Sequence, residues 1–563
     1  LCNVKKNAKS LWRARNWRRA SQTLFFGIFL YFIFRAHGDP APQEGWQLRS
    51  ALNPDLLFLG DPFTWVLTVI ASRTLIEKTI WLMLAFIGLT LVFGRVFCGW
   101  ICPLGTLIDG AGKVLRSPLS ELILTKERAR ERAEKSRIPA IFSHRTKYYL
   151  LAAVAIVALG GVNLTGLFDP LTILMRATAF ALYPLTHWWL STTAATAQAI
   201  PAFAGLGRWF ETTTQRSILS PTMPIYDQSW LHLGILLVVL GLTRLQRRWW
   251  CLHLCPLGAL FGLLARVAPF KRRVQQSACT DCGVCGNACR MEATAPGDAH
   301  TTDNSECLRC MECADRCSRE GVSFSFAVGN SHAEHVSHNA PFDLTRRGLL
   351  TAVASGVIAI PLVRMMPLRR SAVAAVGMDI PQDEFLLRPP NARSEPQFLQ
   401  MCIRCGECYR VCPHNALHPA LFEAGAEGLW TPRLVPRLGA CDPSCTLCSQ
   451  VCPTTAIVPM RPRQRRRIKT GTARVDKGRC LAWSENIDCG VCAEVCPVAP
   501  KAIEMRRGGN GQGRGAQDRV AAPVVIKENC IGCGICENRC PVEGSAAIRV
   551  TRQGEIRHTE SGA

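Results

Sequence analysis

The stretch "FCGWICPLG" occupies Phe97–Gly105, and "WCLHLCPLG" occupies Trp250–Gly258. Each Cys-x3-Cys-Pro-Leu-Gly unit closes a long apolar run, and the repetition divides the first half of the chain into two similar parts. Working outward, four apolar stretches, 21–36, 75–97, 148–168 and 229–246, reach or approach the roughly 20 residues a helix needs to cross a hydrocarbon core. Lys and Arg gather before the first stretch, between the second and third (Lys113 to Arg137) and after the fourth (Arg247 to Arg273). By contrast, residues 37–72 hold only Arg49, and 169–228 hold only Arg176, Arg208 and Arg216. Basic connections mark the cytoplasmic side of a membrane. The sequence therefore predicts a cytoplasmic N-terminus, with both cysteine units at the cytoplasmic ends of the second and fourth spans.

The outer connections repeat as well: "GDPFTWVL" (Gly60–Leu67) resembles "FDPLTILM" (Phe168–Met175). The repeated unit reads as span, Asp-Pro-x-Thr loop, span and Cys-x3-Cys-Pro. Residues at i and i+4 share a helix face, so Cys98, Cys102, Cys251 and Cys255 are expected to make a four-thiolate site for an iron-sulfur cluster or tetrahedral zinc. The competing reading is buried small apolar side chains, or turns set by Pro103 and Pro256. Asp61 and Asp169 are candidate quinone-site residues, either able to take a proton released on oxidation; the plainer role of Asp-Pro is to start helices. His187 and His232 are read as haem ligands or, more simply, hydrogen-bonded interfacial residues.

Twenty-four of the 29 cysteines fall into six further groups of four; Cys2 belongs to none. Two runs follow the fourth span, Cys279/Cys282/Cys285/Cys289 and Cys307/Cys310/Cys313/Cys317, both spaced Cys-x2-Cys-x2-Cys-x3-Cys. In this bacterial ferredoxin spacing three thiolates serve one [4Fe-4S] cluster and the fourth completes the neighbouring one. The expected sets are Cys279, Cys282, Cys285 and Cys317, and Cys307, Cys310, Cys313 and Cys289. Arg290 and Ser318 stand where proline usually follows the fourth cysteine. Four more runs end in Cys-Pro: Cys402/Cys405/Cys408/Cys412, Cys441/Cys445/Cys448/Cys452, Cys480/Cys489/Cys492/Cys496 and Cys530/Cys533/Cys536/Cys540. The second of these carries one extra residue in its first gap, and the third opens that gap to eight. Zinc sites usually separate two Cys-x2-Cys hooks by a longer spacer, so the set favours clusters. No Cys-x2-Cys-His occurs, which leaves covalent haem unsupported.

At 563 residues the chain suggests three or four units, and its net charge of +24 is better explained by membrane topology than by nucleic acid, so no nucleic-acid partner is expected. The one compact basic run, "RPRQRRRIK" (Arg461–Lys469), reads as a solvated loop or a contact with lipid headgroups or an acidic partner. "RRGGNGQGRGAQDR" (Arg506–Arg519) reads as a flexible insertion. Residues 344–367, "LTRRGLLTAVASGVIAIPLVRMMP", look like an internal twin-arginine signal anchor or fifth span, with a membrane-surface helix as the alternative.

Together these residues resemble the NapH-type membrane ferredoxin (1 to about 330) joined to a NapG/MauM-type exported ferredoxin (about 340 to 563, with "TRRGLL" and "CLAW"). The expected fold is multidomain: a four-span α-helical membrane bundle at 1–275 built from a duplicated two-span unit, a cytoplasmic two-cluster ferredoxin-like α+β domain at 276–325, a linker at 326–343, the anchor at 344–367, a linker at 368–395, and a periplasmic four-cluster ferredoxin-like α+β domain at 396–563. The resemblance implies that the last four runs pair first with fourth and second with third. It also implies an inner-membrane quinol dehydrogenase subunit that draws on the quinone pool and passes electrons through six [4Fe-4S] clusters to a respiratory oxidoreductase or multihaem cytochrome. Alternatives are a trans-membrane wire from a cytoplasmic low-potential donor and a redox maturation or metal-delivery factor. No nucleophile, phosphate loop or acid/base pair stands out, and no catalytic residue is assigned.

Overall fold

The computed structural model describes residues 14–35, 38–41, 45–48, 56–115, 143–217, 219–220, 223–226, 228–294, 299–326, 335–336, 338–339, 344–365, 383–507 and 520–558. Cys2, the basic residues before Ala14, most of the basic connection 113–137, most of the 326–343 linker and most of the Gly-rich insertion lie outside them. The chain forms two compact units. One comprises Leu1–Tyr31, Leu57–Ala177 and Leu231–Ile360; the other comprises Phe32–Leu56, Thr178–Trp230 and Pro361–Ala563.

In the first unit the apolar stretches fold as helices that glycine interrupts. The 14-residue helix Ile80–Phe93 stops at Gly94, whose φ of 74° a side chain would resist. Thr146–Leu159 ends at Gly160, and Ser229–Gly241 passes into a 3₁₀ turn at Leu242–Arg244. At 1.5 Å per residue, 14 residues cover about 21 Å, less than a hydrocarbon core of about 30 Å. The predicted spans 75–97, 148–168 and 229–246 are thus broken helices rather than continuous rods, because hydropathy does not register a helix stop that is itself apolar. The stretch 21–36 lies almost wholly within the 22-residue helix Ala14–Arg35. Among the described residues, one helix, Arg346–Arg364, is by itself long and apolar enough to cross a membrane.

This unit buries charged side chains and turns large apolar ones outward. Arg95, Lys147, Asp61 and Asp169 are fully buried, whereas Trp81 is 81% and Val238 62% exposed, and Leu84, Leu91 and Leu237 are also exposed.

The helix Arg346–Met365 lies along Thr146–Leu159, and the two run parallel. Tyr149 meets Thr345 through their hydroxyls (3.1 Å) at one end, and Gly160 faces Ile360 at the other. Close approach is possible because the seam carries Gly348, Ala352 and Gly356 four residues apart. A Cβ on Gly348 would sit 2.5 Å from Tyr149 Cζ, and one on Gly356 would sit 2.8 Å from the Ala153 carbonyl oxygen.

The first ferredoxin region is closed by an antiparallel pair, Phe270–Gln275 with Val322–Phe326, in register Phe270↔Phe326 and Val274↔Val322. This domain therefore begins inside the range assigned to the membrane part, before 276. Phe270 and Phe326 pack on Phe93, the last residue of its helix, with ring centroids at 5.9 and 5.8 Å.

In the second unit, three two-stranded antiparallel sheets frame the C-terminal runs: Leu417–Pro419 with Pro432–Leu434, Thr472–Val475 with Ile548–Thr551, and Ile503–Arg506 with Ala522–Val525. Residues 383–395, assigned to a linker, belong to this fold. Leu386, Leu387 and Ala392 are buried, and Arg388 bonds Glu395 (2.6 Å) and the Pro432 carbonyl (2.8 Å). Burial alone would raise the Glu395 pKa, but the Arg388 and Arg557 charges hold it below the ordinary carboxylate range. Part of the expected outer loop 169–228 is helical instead: Tyr183–Ala199 and Ala204–Ser217 form a hairpin that exposes Trp188, Trp189 and Trp209. Further along, Tyr226 Oη donates to the Tyr409 carbonyl (3.2 Å) and Gln228 Nε2 to the Pro419 carbonyl (3.1 Å) within the same unit.

Gly356→Leu should destabilise the full-length protein by about 1–3 kcal/mol through overpacking of the parallel seam. Gly88→Ala, where a Cβ meets nothing within 4 Å, should change stability by less than about 1 kcal/mol. Thermal loss of visible absorbance in detergent checks both.

Candidate iron-sulfur sites

Each C-terminal run folds as a turn feeding a short helix, such as Glu407–Arg410 after Gly406 and Ile535–Arg539 after Gly534. Gly534 has φ 77°, and a Cβ there would lie 2.4 Å from Pro436 Cβ. Cavities of about 370, 340 and 380 Å³ are lined by Cys480/Cys489/Cys492/Cys540, by Cys496/Cys530/Cys533/Cys536 and by Cys402/Cys405/Cys408/Cys452. Cys412, Cys441, Cys445 and Cys448 are mutual electrostatic neighbours and make the fourth set.

The fourth cysteine is thus exchanged between consecutive runs, first with second and third with fourth. The nested pairing expected from the resemblance is not what the chain adopts. The reason is topological: the strand before the third run, Thr472–Val475, pairs with the strand after the fourth, Ile548–Thr551, and closes those two runs into one unit.

The stretched gaps are absorbed locally. Asp442 Oδ1 accepts from the Ser444 amide (2.6 Å), closing a turn within the longer gap. The eight-residue gap holds the short helix Leu481–Ser484, anchored by Trp483 Nε1 donating to the Pro523 carbonyl (3.1 Å).

These cavities fit [4Fe-4S] clusters in their donor chemistry. Burial first, and neighbouring Cys480 and Cys489 second, push the Cys492 thiol up to about 11. Four such thiols converging on apolar walls are poor company for one another as thiolates, unless a cationic iron core draws their charge. Backbone amides also point at sulfur: Ala416 to Cys412 Sγ (3.3 Å), Ile457 to Cys452 Sγ (3.5 Å) and Ala293 to Cys289 Sγ (3.3 Å). Such bonds stabilise negative charge on a cluster and tune its potential.

Two of the sets adjoin. The Cys441 amide donates to the Cys533 carbonyl (2.9 Å), and Arg465 Nη2 lies 3.2 Å from Cys441 Sγ while its charge also acts on Cys448 and Cys533. Arg465 is fully buried, although Arg463, Arg466 and Arg467 around it are exposed. The basic run is therefore not simply a solvated loop.

In the first unit Cys98, Cys102, Cys251 and Cys255 come within electrostatic range of one another, as the repeat predicts. The repeat is longer than the quoted stretches, because Arg95 and Arg248 each stand three residues before the first cysteine. Each guanidinium crosses to the other half. Arg248 donates to the Cys98 carbonyl (2.9 Å) and forks onto Asp109 (2.9 Å twice), and Gly105 faces its Nη2; Arg95 Nη2 faces Gly258. Gly105 and Gly258 in turn donate their amides to Cys102 Sγ (3.4 Å) and Cys255 Sγ (3.2 Å).

Cys98 and Cys251 pack on Leu252, Met291 and Leu308, and Cys310 packs on the same three residues. Gly99 permits this, since a Cβ would lie 2.9 Å from the Leu308 carbonyl oxygen. The neighbouring cavity, about 410 Å³, is lined by Cys289, Cys307, Cys310 and Cys313, matching the expected exchange. Arg290, in the usual proline position, joins Asp109 (3.0 Å) and Glu312 (2.7 Å). Although burial opposes it, the bond and charge of Arg290, with Arg18 and Arg316, hold the Glu312 pKa below its usual range. Glu306, beside Cys307, accepts from Arg95 (2.8 Å), Lys147 and Tyr148 (3.0 Å). In the remaining set Cys282 is exposed, and Cys279 lies with Asp281 and His300 within 4.8 Å. His187 Nε2 pairs with the Ser220 carbonyl (3.2 Å), the hydrogen-bonded alternative; His232 is buried within range of Arg176.

These sites define an iron-sulfur electron-transfer protein of the multi-domain 4Fe-4S ferredoxin class. The 4Fe-4S binding domain family matches residues 79–120 and 227–275, the 4Fe-4S dicluster domain family 487–543, and a second 4Fe-4S binding domain family 399–418. The methylamine utilization ferredoxin-type protein MauM of Methylorubrum extorquens is 36% identical over 167 residues, 29% of this chain and 71% of that protein, so the chain belongs to the MauM ferredoxin-type family. MauM of Paracoccus denitrificans is 36% identical over 32% of this chain and 77% of its own length. MauN of Methylorubrum extorquens, another methylamine utilization ferredoxin-type protein, is 27% identical over 50% of this chain and 77% of its length. No solved structure matches.

Cys405→Ala with Cys452→Ala should remove about four irons per chain, because both serve one cluster. Cys405→Ala with Cys540→Ala should remove about eight. Iron analysis of the purified double variants checks the consecutive pairing against the nested one.

Proposed function

We propose that this chain is the quinol dehydrogenase subunit of an inner-membrane respiratory system, a NapH-like membrane ferredoxin fused to a NapG/MauM-like four-cluster ferredoxin. The observation that carries the reading is adjacency of the thiolate sites: Cys98 and Cys251 share a wall with Cys310 in one unit, and Cys441 touches Cys533 in the other. Six [4Fe-4S] clusters would be held by the six cysteine sets, and a further metal site by Cys98, Cys102, Cys251 and Cys255. When bound, such clusters supply one-electron carriers between a two-electron quinol and a periplasmic reductase or multihaem cytochrome. The chain's own residues bury the sites, aim amides at sulfur and place Arg95, Arg248 and Arg465 beside the thiolates.

The lipid location is supported by the burial pattern of the first unit, with buried Arg, Lys and Asp and outward Trp81, Leu84 and Leu237. The Tyr183–Ala199 and Ala204–Ser217 hairpin, with outward tryptophans, suits a headgroup boundary. On the charge rule the third span runs outward, and its parallel neighbour Arg346–Met365 runs with it, which would deliver the four-cluster domain to the periplasm. The grouping of 32–56 and 178–230 with the C-terminal domain agrees, since those are outer connections on the same rule.

A second reading is favoured by the wall shared with Cys310: electrons from a cytoplasmic low-potential donor enter the first ferredoxin and leave through the Cys98/Cys102/Cys251/Cys255 site. Full-length protein in nanodiscs, mixed with a short-chain quinol in a stopped-flow instrument, should show cluster bleaching in milliseconds, slowed by Cys98→Ala with Cys251→Ala. Bleaching by reduced ferredoxin and not by quinol would establish the second reading instead. Metal transfer to a partner apoenzyme without either reaction would make the chain a maturation factor.

A further inference from the structure

The two Asp-Pro-x-Thr loops meet inside the first unit. Asp61 caps the helix Pro62–Ser72, its Oδ1 accepting from the amides of Phe63 (3.0 Å) and Thr64 (3.4 Å). Asp169 does the same for Pro170–Ala177, its Oδ2 accepting from the Thr172 amide (2.7 Å). The threonines answer in kind: Thr64 Oγ1 donates to the Asp61 carbonyl (3.3 Å) and Thr172 Oγ1 to the Asp169 carbonyl (3.0 Å). One oxygen of each carboxyl is thus spent on its helix.

The other oxygen is not. Asp61 Oδ2 and Asp169 Oδ1 are fully buried and receive no N–H or O–H donor among the described residues. The two side chains instead lie within interaction range of each other, where the helix Pro62–Ser72 packs on the turn Thr165–Phe168 that leads into Asp169 and Asn163 Nδ2 donates to Thr68 Oγ1 (3.0 Å). Both residues are 0% exposed. Two carboxylates so placed repel and cannot both stay ionised, whereas an acid and a carboxylate attract through a proton between them. Capping alone accounts for one oxygen of each residue and leaves this juxtaposition unexplained.

We propose that Asp61 and Asp169 share one proton across the junction of the two loops, forming a buried acid–carboxylate pair that serves as the proton-binding site of the membrane unit. The charge that acts on the pair is Arg176, about two helical turns beyond Asp169 and fully buried. Behind Arg176 stands His232 of the Ser229–Gly241 helix. The helices Ile80–Phe93 and Pro256–Ala265, which also pack on Pro62–Ser72, carry no titratable side chain, and Thr146–Leu159 carries Lys147, Tyr148 and Tyr149, of which Lys147 and Tyr148 are engaged with Glu306; Pro103–Leu115, which packs on Pro170–Ala177, carries Asp109, engaged by Arg248 and Arg290, and the exposed Lys113. One net negative charge beside one guanidinium is a balanced buried arrangement; two would not be. For its purpose, though not for its existence, the pair rests on the quinol reading. A quinol that loses two electrons to the iron-sulfur sites also releases two protons; the pair, already holding one proton, accepts one of them and becomes two neutral acids, and the other goes to solvent.

The test is infrared difference spectroscopy on full-length protein in nanodiscs, with clusters oxidised and no quinol present. At neutral pH the wild type should show a protonated-carboxyl C=O band that shifts in heavy water and disappears as pH is raised. Asp61→Asn and Asp169→Asn each keep a side-chain oxygen for capping. Each should displace or abolish the band, and the double variant should lack it, with cluster absorbance unchanged. A wild type without the band at neutral pH, or a band identical in wild type and double variant, would overturn the proposal. The wild-type titration decides the matter even if a variant misfolds. Should the quinol reading fail while the resting band behaves as described, the proton-sharing pair stands and only its purpose changes.

Discussion

Thiolate charge in a dry interior is the constraint on which the rest of this structure depends. A cysteine buried among apolar residues keeps its proton, and four of them converging would be four inert thiols without a cation to share. At the cavities of both ferredoxin regions the chain meets that constraint with three sulfurs from one run and a fourth from a neighbouring run, and backbone amides are aimed at Cys412, Cys452 and Cys289. Where two sites crowd together, an arginine is drawn into the protein beside them. Arg465 and Arg248 are fully buried for this reason, and each finds carbonyl, carboxylate or sulfur partners that satisfy part of its fork.

Much of this was legible in the cysteine spacing, because ligation by three residues of one turn imposes a local geometry that only a narrow spacing satisfies. The exchange between Cys289 and the Cys307/Cys310/Cys313 run, and the meeting of Cys98 and Cys102 with Cys251 and Cys255, both follow from local pattern and repetition. The choice of partner runs in the C-terminal domain was not legible, since it is set by which strand pairs with which, a property of residues 472–475 and 548–551 that carry no cysteine. Residues 383–395 were hidden for a related reason. They are held by Arg388 and by ordinary apolar burial rather than by any metal-ligand signature. The hairpin 183–217 escaped because it was read by its lack of Lys and Arg alone. Arg95 and Arg248 could have been found: they occupy the same offset in both repeats, three residues ahead of the quoted stretches.

The duplication explains more than the cysteine quartet. The two copies of the unit meet, and several repeated residues face their counterpart's surroundings. At one end this pairs Arg95 with Gly258 and Arg248 with Gly105; at the other it sets Asp61 against Asp169. Glycine after Pro-Leu leaves room in both copies: a Cβ on Gly258 would lie 2.9 Å from the arriving Arg95 guanidinium, and one on Gly105 would lie 3.2 Å from the Cys98 carbonyl oxygen with Arg248 in van der Waals contact at 3.5 Å.

Arg465 carries a consequence of a different kind. One guanidinium serves sulfurs from two neighbouring sets, Cys441 and Cys448 on one side and Cys533 on the other. Charge added to either set strengthens its hold on that cation and weakens the cation's benefit to the other. Clusters held by these two sets would therefore not be independent of each other: an electron on one would raise the electrostatic cost of adding an electron to the other.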